Sequence, residues 1–208
     1  QRTGDGLRQT WVVIIADAEY SARPLSEIRA TAKPDSTYTP ANLYGTLTDE
    51  KLVYDLFHTN YRVPKSHIIE LVDKTDDAVT LTGATIDSAI RSLKDKVDGD
   101  DNLVVWYSGH GLGRKAKYPT GTWMLNGGQY TAAELSEALD YLGADANYIF
   151  SDSCHAGGFG SQVTAKNSVV FSAAKASQYS AEDMRGGGLF TRTMVPLLQK
   201  TGSLLDSF

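Results

Sequence analysis

The chain has 208 residues, and 20 Lys and Arg against 25 Asp and Glu leave a formal charge of -5. That balance supplies no field for gathering phosphates, so nucleic acid is not an expected partner, and 41% hydrophobic with 22% charged residues excludes a disordered or fibrous chain. The single cysteine excludes an intrachain disulfide and a thiolate-rich zinc site, and no apolar run approaches the roughly 20 residues that cross a bilayer.

Residues 1–10 are polar and read as a flexible N-terminal segment of a single domain covering 1–208; the missing initiator Met points to a processed or trimmed start, and no compartment is indicated. Trp11 to Ala16 (WVVIIA) is a β-branched run suited to a strand buried on both faces. Ser21 to Asn42, with Pro24, Pro34 and Pro40, reads as a long surface loop. Thr48, Asp49 and Glu50 are placed to cap a helix carrying Leu52, Val53, Leu56 and Phe57 toward Asn60. Ile68 to Val72 is a second short strand, and a polar turn with Asp73, Asp76 and Asp77 leads through Thr85 into an amphipathic helix carrying Ile86, Ile90, Leu93 and Val97.

A third strand, Leu103 to Tyr107, ends in Ser108, Gly109, His110 and Gly111. Residues 112–130 look irregular and Gly-rich, with a basic stretch at Arg114, Lys115 and Lys117 that reads as a solvated loop or, for an enzyme preferring basic residues, a self-cleavage site. Thr131 caps a helix running to about Leu142, and the strand Tyr148 to Phe150 ends in Ser151, Asp152, Ser153 and Cys154. Val169 to Phe171 form a fifth strand, Gly186 to Gly188 a loop, and Phe190 to Gln199 a helix that Pro196 bends. Strands alternating with helices predict an α/β fold with a mostly parallel sheet covered on both faces.

In such sheets the functional crevice lies beyond the carboxyl ends of the strands. Two strand ends here carry reactive groups, His110 and Cys154, joined by one helical crossover that sets their strands side by side or nearly so. An imidazole beside a thiol converts more of it to the nucleophilic thiolate, and Gly109, Gly111, Gly157 and Gly158 let backbone amides approach a substrate carbonyl. A lone strand-end cysteine is ordinarily a packing residue; the partner histidine turns the reading toward catalysis. Asp49 and Asp152 read equally well as caps of helices or turns, and Asp17 as a turn residue. His58 and His67 are expected at surface positions, and His155 in a structural role beside the cysteine.

The segments YSGHG (Tyr107 to Gly111) and SDSCHAGG (Ser151 to Gly158) resemble the two catalytic signatures of the caspase-like cysteine peptidases, with metacaspases and orthocaspases the most similar branch. LYGTLTDE (Leu43 to Glu50), Ser172 to Asp183 and GLFT (Gly188 to Thr191) resemble further family segments in the family's order, covering roughly residues 11–198. The resemblance implies a caspase-like α/β/α sandwich with Cys154 as nucleophile, His110 as base and the amides of Gly111 and Cys154 as oxyanion donors. It implies that Asp152 and Asp49 line a pocket for a basic side chain, with Asp17, Ser172 and Ala173 as further substrate-binding candidates, and hence cleavage after Arg or Lys.

Thr46 stands where many metacaspases have a second cysteine, and the stretch after Gly111 is basic where an acidic cluster supports calcium activation in many of them; calcium dependence is left open, and neither an organic cofactor nor a metal is required. The expected partner is a peptide or protein substrate, with monomer and weak dimer both open because an exposed edge strand permits pairing. Legumain-like, clostripain-like or transpeptidase specificity and a noncatalytic caspase-like scaffold are the competing readings. A phosphate-binding α/β domain is disfavoured, since Asp17 to Tyr20 stand where a glycine-rich loop would follow the first strand.

Overall fold

The computed structural model describes residues 4–20, 42–73, 80–113, 121–183 and 186–201. The proline-bearing loop after Ser21, the turn around Asp76 and Asp77, and the basic stretch Arg114, Lys115 and Lys117 lie outside the described residues. Strand β1 (Thr10–Ala16) sits near the middle of a five-stranded sheet with β2 (Ile68–Val72), β3 (Asn102–Ser108), β7 (Ala146–Asp152) and β8 (Ser168–Ser172), in the order β2-β1-β3-β7-β8. Every pairing in it is parallel. The chain leaves β1 toward β2 on one side and returns to β3 on the other, which makes the carboxyl ends of β1 and β3 a topological switch point.

The near-continuous apolar runs follow from burial on both faces: all seven residues of β3 are buried, as are six of seven in both β1 and β7. Alternation then sorts them between two cores. Val13, Ile15, Val105, Tyr107 and Ile149 pack with helices α2 (Gly83–Arg91) and α3 (Ala132–Leu142) through Ile86, Ile90, Leu135, Leu139 and Leu142. Val12, Ile14, Val104, Trp106, Tyr148 and Phe150 pack with α1 (Thr46–Asp55) and α5 (Leu189–Thr201) through Val53, Val195 and Leu198. At about 1.5–3 kcal/mol for each fully buried large aliphatic side chain, these two layers hold the sheet in place. No helix among the described residues is long and apolar enough to cross a membrane.

Helix α3 starts at the expected Thr131, in a capping box with Glu134, and ends on Gly143 in the left-handed region. Helix α1 departs from expectation. It begins at Thr46 on Gly45 with no side-chain cap, and continues past Asp55 as a π-helical turn over Leu56–Asn60. Asp49 therefore lies inside the helix, with its carboxylate engaged elsewhere. The segment expected to be irregular after residue 112 is also corrected: β4 (His110–Leu112), β5 (Thr122–Leu125) and β6 (Gly128–Thr131) form a separate antiparallel sheet. Trp123 and Tyr130 anchor it in the core, Trp123 stacked between Tyr107 and Phe159. The expected loop at Gly186 to Gly188 contains β10 (Gly187–Gly188), paired antiparallel with β9 (Glu182–Asp183). A short helix α4 (Ala156–Gly160) follows the cysteine.

Candidate active site

Residues Ser108 and Asp152 are direct partners in the parallel register of β3 and β7, and two residues beyond them on each chain stand His110 and Cys154. The turn after β3 is pressed onto the turn after β7: a β-carbon on Gly111 would lie 1.9 Å from the Cys154 carbonyl oxygen and 2.9 Å from Ser153 Oγ. Only glycine permits this approach, which brings the two signatures into one crevice.

His110 is fixed through its backbone. Its N–H donates to Tyr20 Oη (2.9 Å), its carbonyl accepts from Tyr107 Oη (2.7 Å), and its ring meets Tyr20 edge-on with centroids 4.5 Å apart. Cys154 is half-buried, its Sγ 3.9 Å from the Ser180 carbonyl. Burial, with the Asp152 carboxylate adding to it, pushes the thiol above its usual value, which favours the neutral thiol. Below the turn, Ser153 Oγ, Ser151 Oγ and Trp123 Nε1 form a buried hydrogen-bond chain that ties it to the core.

On one side of Cys154 three carboxylates converge on Gly187 and Gly188. Asp152 accepts from Thr191 N–H (3.0 Å), Thr191 Oγ1 (2.8 Å) and Ser180 Oγ (3.1 Å). Asp49 accepts from the Ser108 hydroxyl and from Gly188 N–H at 2.8 Å. β-carbons on Gly188 and Gly187 would fall 2.0 Å from Asp152 Oδ2 and 2.1 Å from Asp49 Oδ1, so the glycine pair lies directly against both acids. Glu182 reaches the start of α1, where a β-carbon on Gly45 would lie 3.2 Å from its Oε2. Burial, with mutual repulsion added, pushes Asp49 and Glu182 up to about 7 each, and burial raises Asp152 against the pull of Thr191 and Ser180. Carboxyl groups gathered and desolvated in this way favour a cation beside them.

The structure thus joins His110, Gly111, Cys154, Asp152 and Asp49 in one region. Asp17 sits at the same edge, fully buried, with its carboxylate turned to Asn126 N–H (2.7 Å) and Asp73. Ser172 and Ala173 begin the loop that wraps the cysteine turn, Ala173 N–H bonding the Ser151 carbonyl at 3.0 Å; the loop's far end, Ser180 and Glu182, is what reaches the sulfur and the acids. Residues Glu182, Ser180 and Thr191 lie in stretches flagged by resemblance but were not singled out; a lone charged pair, Glu182 and Asp183, inside a small-residue loop was the available signal. His155, at φ 58°, directs Nδ1 to the Ala176 carbonyl (2.9 Å) and its ring to Tyr179. His58 is exposed, and His67 stacks on Trp11.

Among the described residues one group of carboxylates has the spacing to share a metal ion, Asp5, Asp98 and Asp100. It precedes β1 and β3, and so lies at the opposite edge of the sheet from Cys154.

A family model described as the caspase domain matches residues 10–208. Metacaspase-4 of Arabidopsis thaliana is 30% identical over 131 residues, a match covering 58% of this chain and 31% of that protein. The fold resembles caspase-1 from Spodoptera frugiperda with a TM-score of 0.64 at 11% identity, covering 95% of this chain and 71% of that one. With almost its whole length matched by the family model, the chain belongs to the caspase-domain family of cysteine peptidases.

Proposed function

We propose that the protein is an endopeptidase that cleaves peptide or protein substrates after Arg or Lys, with Cys154 as nucleophile and His110 as general base. The observation that carries the specificity is the convergence of Asp49, Asp152 and Glu182 beside the cysteine, with Gly187 and Gly188 between them. A guanidinium or ammonium entering there meets carboxylates already desolvated, and its charge draws them to their anionic forms.

In the reaction His110 takes the thiol proton as Cys154 Sγ attacks the scissile carbonyl. The oxyanion is held by the Gly111 and Cys154 amides, and the imidazolium returns its proton to the departing amine. Water, deprotonated by the same imidazole, then hydrolyses the thioester and releases the acid. A raised thiol value suits this scheme, because proton transfer is coupled to attack rather than completed beforehand. No organic cofactor enters it.

The test is hydrolysis of fluorogenic peptides with Arg, Lys, Asn or Asp before the scissile bond, by wild type and Cys154→Ala, with and without calcium. Cleavage after Arg or Lys that vanishes in the variant supports the reading. Preference for Asn or Asp would overturn the assigned pocket, and no cleavage under any condition would favour a noncatalytic scaffold.

A further inference from the structure

A second acidic pair lies beyond the proposed pocket, on the far side of His110. Asp73, at the end of β2, is saturated with donors: Ala18 N–H (2.8 Å) and Glu19 N–H (2.5 Å) from the backbone, and Asn126 Nδ2 (3.1 Å). That is the environment of an anion. Asp17, fully buried, receives one backbone donor, Asn126 N–H, on Oδ2. Its Oδ1 is a buried acceptor with no donor among the described residues, and Asn126 draws the two side chains together, its N–H on Asp17 and its Nδ2 on Asp73. Two anions have no hydrogen to share. A proton on Asp17 turns this contact into a short bond to Asp73 and removes the orphaned acceptor. Burial and the Asp73 charge both raise Asp17 well above the ordinary carboxylate range, in agreement with that geometry.

The pair is connected to the histidine. Asp73 holds the N–H groups of Ala18 and Glu19, the residues between Asp17 and Tyr20, and the Tyr20 hydroxyl accepts the His110 N–H while its ring meets the edge of the imidazole. We propose that Asp17 is a positioning residue: as a neutral carboxylic acid it donates its proton to Asp73, whose hold on Ala18 and Glu19 sets the loop by which Tyr20 fixes His110 for proton exchange with Cys154. The positioning half rests on the His110 and Cys154 reading above; the neutral-acid half does not. The titratable groups facing Asp17 are Asp73 after β2, Tyr20 in its own loop and Tyr107 on β3. Among the described residues all of these are acids, and none supplies a counter-charge that would favour the anion.

An acid held neutral by folding contributes stability that is complete below its unfolded value, near pH ~4, and lost as the pH rises through its folded value. Thermal midpoints of Cys154→Ala and of Cys154→Ala with Asp17→Asn, compared from pH 5 to pH 9, read this directly. The asparagine donates to Asp73 without titrating, so its advantage over the parent grows with pH; a difference independent of pH would overturn the neutral acid. For positioning, Asp17→Ala and Tyr20→Phe in the Cys154-containing enzyme lose on the order of tenfold in kcat with KM little changed, and Asp17→Asn recovers most of the alanine loss. Unaltered kcat in both would sink positioning. The pH profile of Cys154 alkylation by iodoacetamide reads the imidazole and thiol without a peptide. A profile displaced in Asp17→Ala and Tyr20→Phe supports the inference even if no peptide is cut, and an undisplaced one overturns it.

Discussion

Two acidic clusters flank the turn of His110 and Cys154, similar in composition and burial and opposite in construction. Asp49 and Asp152 are engaged by separate donors, Ser108 and Gly188 for the one and Thr191 and Ser180 for the other, with Gly187 and Gly188 directly against them and Glu182 alongside. In Asp17 and Asp73 the carboxyls face each other, and the donors are unequally shared. On the proposed reading the first arrangement keeps negative charge available to an incoming cation, while the second closes on itself and serves as structure. What separates a binding recess from a brace is the number and direction of the donors, which neither residue type nor burial reveals.

The largest effect expected from breaking this contrast is at Asp152. Replacing it by Ala leaves a bound cation partly unpaired, a loss of about 3 kcal/mol or more, or roughly two decades in kcat/KM on Arg peptides, with a smaller loss on any neutral substrate. Gly188→Ala tests the same recess by filling it: the β-carbon would overlap Asp152 Oδ2 at 2.0 Å. Activity on Arg and Lys peptides should fall about as far, measured as kcat/KM alongside the thermal midpoint. Equal losses on Arg and neutral peptides would argue that the recess is structural, like the Asp17 pair.

Next in size is a pH effect. Asp49 and Glu182 sit at about 7, so in the free enzyme each favours its protonated form below neutrality. The stability they contribute is full below pH ~4 and lost as the pH rises through about 7, whereas affinity for a cation moves the other way. Benzamidine binding to Cys154→Ala, followed by titration calorimetry, should tighten by about tenfold for each linked group between pH 6 and pH 8 with release of protons, and Asp49→Asn should flatten that slope. Binding independent of pH would show that the recess does not receive the cation.

The sheet, and the strand ends that carry His110 and Cys154, are legible because local rules suffice for them. Trp11 to Ala16 and Leu103 to Tyr107 read as strands buried on both faces, Thr131 as a cap, and the order of strand ends sets the His110 turn beside the Cys154 turn. The antiparallel sheet over His110–Thr131 was missed because its strands have three or four residues and glycines at 111, 121, 127 and 128 obscure the alternation that Trp123 and Leu125 carry. Helix α1 begins at Thr46, ahead of the cap expected at Thr48 to Glu50, because the Asp49 carboxylate answers to Ser108 and Gly188 across the fold. The link of Asp17 and Asp73 through Asn126, and that of Glu182 to the start of α1, span separate loops and have no local signature.

The smallest effect is expected where one donor among several is removed. Thr191 gives Asp152 both its N–H and its hydroxyl, and its Oγ1 accepts from Trp106 Nε1 at 3.3 Å. Thr191→Val keeps the backbone donor and the shape and deletes only the hydroxyl, so Asp152 loses one of three donors and its carboxyl rises further. Hydrogen bonds to charged groups are worth about 1.5–3 kcal/mol, but the retained N–H and Ser180 hydroxyl cushion the loss to about 1 kcal/mol, or about fivefold in kcat/KM on Arg peptides. The deficit should shrink as the pH rises and Asp152 ionises regardless. A deficit that instead grew with pH would mean that the hydroxyl acts on the protonated acid, and that Asp152 resembles Asp17 more closely than its donors imply.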